Sequence, residues 1–441
     1  MTAPESKKQT HPNRLRRNFV LCLIVLSSVA ISLSIYFTST TPHFTPIPMT
    51  PLAISADATS IAALAASPAA LRHRNVVLVT LDTTRPDRLG CYGNANTNTP
   101  TLDQLARDGV IFSNAIATAP TTLPAHASIF TGLYPHHHGA RTNGLYRLGA
   151  EQHTIAEMLS ENGYDTAAFV SAFVLDKRFG LDQGFDHYDD KMGSSITVGG
   201  YTERRGHHTT EQAIQWLETE RTRPYFLWVH YYDPHQPHSP PSPFFEQSPH
   251  PYDGEIAFMD YELGLLLDKV WATSDAEPLI VVVADHGEAL GEHGERTHAS
   301  LAYDATLRIP LILHAPEALG RGLHMSSRVS QVDLLPTIAT LVGIAAPQRL
   351  DGVDLTRVQD FDRPLIAEAV DGQANFGWAG LAVLYRGALK YIDGPNPELF
   401  DLARDPLEEH NIIAERKREA DELKRQLRPL RAGERREGRE G

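Results

Sequence analysis

The run Asn75-Val76-Val77-Leu78-Val79-Thr80-Leu81 carries no charge and consists mainly of β-branched and aliphatic residues. A stretch this short and apolar fits a strand covered on both faces, as in the interior of a parallel sheet. It ends on Asp82. The same pattern returns at 166–170, 224–231, 279–284 and 309–314, with helical periodicity at 101–108, 152–162, 208–221 and 251–273. This alternation predicts a layered α/β domain over 75–370, built on a largely parallel sheet. In such sheets ligands bind beyond the carboxyl ends of the strands. Three strand ends carry Asp or His: Asp82, Asp233 with His235, and Asp285 with His286.

The flanks read differently. Residues 1–18 are polar and basic, and 19–37 contain no charged residue, close to the ~20 needed to span a bilayer. Basic residues before the run and none soon after it predict a cytoplasmic N-terminus and an extracytoplasmic catalytic domain. An uncleaved anchor is the favoured reading and a cleaved signal its rival. Residues 38–74, rich in Thr, Pro, Ala and Ser, read as a tether, with a loose helix over 58–71. Past 371 come two short strands, at 378–383 and 387–392, and an amphipathic helix over 412–430, a small α+β subdomain. The charged, Gly-rich end, 431–441, reads as disordered. The formal net charge of -14 argues against a general nucleic-acid binder. Of the two cysteines, Cys22 lies in the apolar run, which leaves Cys91 alone and excludes an internal disulfide framework or a cysteine zinc cluster. With 21 histidines, imidazole and carboxylate are the expected metal ligands.

The segment Thr121-Thr122-Leu123-Pro124-Ala125-His126-Ala127-Ser128 reads as a turn entering a helix that Gly132 ends. Thr122 then sits at the helix mouth, where N–H groups and the dipole favour an anion. Its hydroxyl is either an ordinary N-cap or a nucleophile for a tetrahedral phosphorus or sulfur centre. Asp285-His286-Gly287-Glu288 offers two adjacent ligands just past a strand, with Gly287 giving the backbone room to turn. Asp82 can supply a third ligand and Thr122 a fourth, a set that fits one divalent ion. His235, held between Pro234 and Pro237, and His298 are candidates to touch substrate oxygens or to protonate a leaving group. Of His136, His137 and His138, at least two cannot face one site.

These segments resemble the sulfatase family of the alkaline-phosphatase superfamily, in order, from about 75 to 412. Leu78 to Asp87 resembles its first metal-binding strand and Thr99 to Ala106 its following helix. Thr122 to Ser128, with Thr131-Gly132-Leu133-Tyr134-Pro135, falls on the nucleophile motif. Asp285 to Glu288 falls on the late metal pair, Leu307 to Ile312 on the next strand, and Leu399 to Leu402 with Asp405-Pro406 on the C-terminal signature. The resemblance implies an alkaline-phosphatase-like three-layer sandwich and one divalent ion (calcium, magnesium, manganese or zinc) held by Asp82, Thr122, Asp285 and His286. It implies catalytic roles for Thr122, His298, His235 and His126. Formylglycine sulfatases carry Cys or Ser where this chain has Thr122, and Arg where it has His126. Thr83 replaces the family's second Asp, and His298 falls about where many members have Lys. Members with a Thr nucleophile work mostly on phosphorus, and the ligand set resembles the lipoteichoic-acid-synthase type.

The expected activity is therefore metal-dependent cleavage of sulfate- or phosphate-type esters by Thr122. One alternative is a phosphoglycerol- or phosphoethanolamine-type transferase, or a phosphodiesterase, on envelope lipids or glycans. Another is a non-catalytic binding protein tethered to the membrane by 19–37.

Overall fold

The computed structural model describes residues 49–50, 52, 59–61, 66–192, 203–357 and 363–437. The segment 19–37, expected to be a membrane anchor, lies outside them. Among the described residues no helix is long and apolar enough to cross a membrane.

A nine-stranded sheet forms the centre. Its strands are β1 (Thr59–Ile61), β2 (Val76–Leu81), β3 (Val110–Ile116), β4 (Asp165–Phe169), β5 (His187–Asp189), β6 (Tyr225–Tyr231), β7 (Leu279–Ala284), β8 (Arg308–His314) and β9 (Leu323–Ser330). Their spatial order is β1-β9-β3-β8-β7-β2-β6-β4-β5. Every pairing is parallel except the two made by β8, which alone runs against its neighbours. β2, β6 and β7 are buried along their whole length, as uncharged runs covered on both faces must be.

Four strands, β1, β3, β5 and β9, escape the sequence pattern. In β3, Ser113 and Asn114 interrupt the apolar run where the pairing register shifts, the mark of a bulge. β9 is polar and partly exposed. The loose helix expected over 58–71 is corrected: Thr59–Ile61 is a strand, paired in parallel with Leu323–Met325 of β9. Thr59 and Ile61 are β-branched, and the outer edge of β9 offers the unpaired groups that a short strand needs.

The C-terminal region holds a second, antiparallel sheet of four strands: β10 (Leu365–Ala369), β11 (Leu381–Arg386), β12 (Leu389–Asp393) and β13 (Glu398–Asp401). Only two were expected, displaced by a few residues. The helix Lys417–Glu437 begins later than 412 and continues past 431, where disorder was expected. Its Ala420, Leu423 and Leu427 pack on Leu384, Tyr391 and Leu399.

Candidate active site

The carboxyl ends of β2 and β7 lie side by side, paired from Val76↔Leu279 to Leu81↔Ala284. The residues that follow these strands, Asp82 and Asp285-His286, therefore emerge together. One donor atom from each of these three residues forms a group within 4.8 Å of one another, all in buried side chains. The backbone fixes their directions. Asp285 Oδ1 accepts from the N–H groups of Thr83 (3.2 Å) and His286 (2.7 Å), so its Oδ2 is turned to the group. Thr83 adopts φ 49°, a left-handed conformation that is strained for a β-branched residue and aims its N–H at Asp285. Gln331 Nε2 donates to the carbonyls of Ala284 (3.1 Å) and Asp285 (2.6 Å) and ties down the strand end. His286 Nδ1 donates to the Gly287 carbonyl at 3.0 Å, which leaves the Nε2 lone pair for a cation. Gly287 is needed here, because a Cβ would lie 2.2 Å from the Ala305 carbonyl oxygen.

The helix Thr122–Thr131 opens on this group. Thr121, in extended backbone, takes the N-cap position, so Thr122 is the first helical residue rather than a cap. Gly132, at φ 69°, ends the helix as expected. Thr122 Oγ1 lies 3.4 Å from His286 Nε2. Leu123 N–H donates to Asn143 Oδ1 at 2.8 Å, which anchors the first turn.

These residues fit a divalent cation. Both oxygens of Asp82 and Oδ2 of Asp285 are buried and lack a hydrogen-bond partner among the described residues. Burial pushes Asp82 up to about 6 against the pull of His235 and His286, and burial together with Asp82 raises Asp285. Burial opposes charge on His286, but Asp285 and Asp82 outweigh it and raise its pKa. A cation supplies the counter-charge that these desolvated carboxylates lack.

His298 and His235 stand beside the group. The His298 ring centroid is 4.5 Å from that of His286 and 4.9 Å from that of His235. His235 Nδ1 donates to the Gln236 carbonyl at 2.7 Å, which leaves Nε2 for a ligand; burial depresses its pKa to about 3. His298 Nδ1 lies 3.1 Å from Glu288 Oε1. Burial pushes Glu288 up to about 8, and Thr297 Oγ1 lies 3.2 Å from the same Nδ1, so a proton on either neighbour can face Nδ1 and leave the ring's own proton on Nε2.

The expectation for His126 is corrected. His126, expected among the catalytic groups, is fully buried beneath the helix. Its Nδ1 donates to the Thr122 carbonyl (2.8 Å) and its Nε2 meets Thr80 Oγ1 (2.9 Å), so both ring nitrogens are engaged and neither reaches a substrate. Asp233 accepts from Gly206 N–H at 3.0 Å at the start of the helix Gly206–Leu217. Of the three neighbouring histidines, His137 pairs with Asp351, His138 contacts Ser128, and His136 stacks on Tyr134. Sequence reasoning missed Thr80, Trp228, His230 and the Glu288 contact. A histidine inside the otherwise apolar β6 was the available signal for His230, because a central strand buries a polar group only with a partner.

The family described as Sulfatase matches residues 74–344. Among curated proteins, the Ulvan-active sulfatase of Formosa agariphila is 27% identical over 77% of this chain and 77% of its own length. The Delta 4,5-hexuronate-2-O-sulfatase of Bacteroides thetaiotaomicron is 22% identical over 78% of this chain and 85% of its own. Among solved structures, the phosphonate monoester hydrolase of Agrobacterium radiobacter superposes with a TM-score of 0.69 at 22% identity, covering 81% of this chain and 95% of that one.

Proposed function

The chain belongs to the sulfatase family, and from that footing we propose that this ester hydrolase is metal-dependent and opens sulfate- or phosphate-type esters with the Thr122 hydroxyl. The observation that carries this reading is the placement of Thr122 Oγ1, 3.4 Å from His286 Nε2 and at the mouth of the Asp82–Asp285–His286 group. Relatives named as sulfatases and a neighbour named as a phosphonate monoester hydrolase support keeping both sulfur and phosphorus centres in the substrate class.

Asp82, Asp285, His286 and Thr122 would hold a divalent ion, which when bound would supply Lewis acidity to the ester oxygen and to the Thr122 hydroxyl. Thr122 Oγ1, its proton released to solvent, attacks the central atom in line, and the bond to the leaving alcohol breaks. That oxygen takes the Nε2 proton of His298 while the Glu288 proton passes to Nδ1. An ester on Thr122 remains. Threonine has no aldehyde hydrate through which to expel the group, so a second attack at the same centre must release it. Water makes the protein a hydrolase; a lipid or sugar hydroxyl makes it a transferase. We place this chemistry outside the cytoplasm, on the charge distribution of 1–37.

The test is a panel of aryl sulfate, phosphate monoester, phosphodiester and phosphonate substrates, each with calcium, magnesium, manganese or zinc. Turnover of at least one class that depends on added metal is expected. A metal-free protein inert toward all four supports the tethered binding protein instead. For His298→Asn, kcat should fall about 10²-fold or more on alkyl esters and little on nitrophenyl esters, whose leaving oxygen needs no proton. An equal loss on both would remove His298 from the acid role.

A further inference from the structure

A cavity of about 370 Å³ opens where one face of the central sheet meets the C-terminal region, and none of Asp82, Thr122, Asp285 or His286 lines it. Two arginines do, Arg308 and Arg328. The register brings them together. Arg308 pairs with Ile116 across β8 and β3, and Arg328 pairs with Asn114 across β9 and β3. Residues directly opposite share a face, and 114 and 116 stand two apart on one strand, so all four side chains leave the sheet on the same side.

The backbone holds each guanidinium and leaves donors spare. Arg308 Nε and Nη2 donate to the Ser113 carbonyl at 3.1 and 2.8 Å, and Nη2 donates to Asn114 Oδ1 at 3.1 Å. Those bonds serve the bulge in β3, where the ladder is interrupted. Arg328 Nη1 donates to the Gly387 carbonyl, and its guanidinium lies 5.2 Å from the Tyr385 ring centroid. Among the described residues, no group accepts from Arg308 Nη1 or Arg328 Nη2, and neither arginine has a carboxylate partner within 4.0 Å. The carboxylate in the cavity wall, Asp304, already has its Oδ1 taken by Lys390 Nζ and the Tyr385 hydroxyl, each at 2.7 Å. Burial and the nearby Arg328 charge hold Arg308 below the usual guanidinium range, against the pull of Asp304. Two half-buried like charges on one wall repel, and an anion between them relieves both the repulsion and the lost hydration.

The rest of the wall is mostly apolar, with Ile116, Leu402 and Pro406 among it. A volume of about 370 Å³ falls within the range of organic-ligand pockets, roughly 300–1,000 Å³. We infer that this cavity is a second binding site, for a small organic molecule that carries one sulfate or phosphate group. Such a group presents three terminal oxygens to two guanidinium forks that approach from different strands, while the apolar wall takes the organic body. The site stands on its own lining and does not depend on the chemistry proposed for Thr122.

The test is calorimetric titration of the whole protein with glucose 6-phosphate, glucose 6-sulfate, inorganic phosphate, glucuronate and glucose. All titrations use the Thr122→Ala background, so that no probe is consumed. Both sugar esters should bind, glucuronate and inorganic phosphate about 10-fold more weakly, and glucose not at all. Adding Arg328→Gln should weaken the esters about 10–100-fold, and adding Asp285→Asn should leave them unchanged. Arg308→Gln should act as Arg328→Gln does; Arg328→Gln carries the test if Arg308→Gln, which also loses the Ser113 bonds, does not fold. The reverse pattern, loss in Asp285→Asn with full affinity in Arg328→Gln, would place the ligand at the Thr122 site and overturn the inference. Failure of both esters to bind would overturn it outright. Glucuronate bound as tightly as the esters would overturn the assignment to sulfate or phosphate, and inorganic phosphate bound as tightly would overturn the role of the apolar wall.

Discussion

Thr122→Ala is expected to lower kcat by at least about 10⁴-fold, ~5.5 kcal/mol of barrier, on whichever ester the wild type turns over. The change deletes the hydroxyl proposed to attack, which is also one of the four proposed ligands, and no other side-chain group. Thr122 is buried, with 2% of its surface exposed, and is the first residue of its helix, so its loss leaves Leu123–Thr131 and their contacts in place. Asp285 and His286 keep their backbone anchors, and with Asp82 they retain three of the four proposed ligands, so elemental analysis should still find bound metal. Thr122→Ser retains the hydroxyl and should keep most of the rate. Stopped turnover with retained metal separates a missing nucleophile from a collapsed site. Wild-type rates in Thr122→Ala would refute the assignment and leave the metal group to activate water directly.

Lys390→Met is expected to destabilise the fold by about 3–5 kcal/mol, read as a lower urea midpoint. Lys390 is fully buried on β12, and its Nζ meets Asp304 Oδ1 at 2.7 Å and Glu408 Oε1 at 2.6 Å. Tyr385 donates to the same Asp304 oxygen at 2.7 Å, and Asp304 N–H donates to Glu408 Oε2 at 2.6 Å. Asp304 opens the short helix Asp304–Leu307 that leads into β8, so the cluster fastens the four-stranded sheet to the catalytic sheet. Removing the single cation leaves two buried carboxylates facing each other. A triple variant, Lys390→Met with Asp304→Asn and Glu408→Gln, has no buried charge in the cluster and should recover part of the loss. An unchanged midpoint in Lys390→Met would show that the cluster contributes nothing to the attachment.

The ligand triad was legible because it is local. A buried parallel strand must end at the same edge as its neighbours, so an Asp or Asp-His just past β2 or β7 arrives there whatever the rest of the chain does. The helix mouth at Thr122 was legible for the same reason: Pro124 and Gly132 punctuate it. Asp233 shows that a strand-end carboxylate serves a nearby helix start equally well, here through Gly206 N–H. His126 misled because the resemblance fixes its position in sequence and leaves open which way the helix turns it.

Sequence alone thus determined the inner strands of the sheet and the edge at which Asp82, Asp285 and His286 emerge. The tertiary structure alone decided that β8 runs backwards, that His126 faces inward, that Glu288 backs His298, and that Thr80 meets Trp228 and His230. Strand periodicity is a property of neighbouring residues. Thr80 and His230 are 150 residues apart, and their contact depends on the register in which β2 and β6 pair, which only the packed sheet sets.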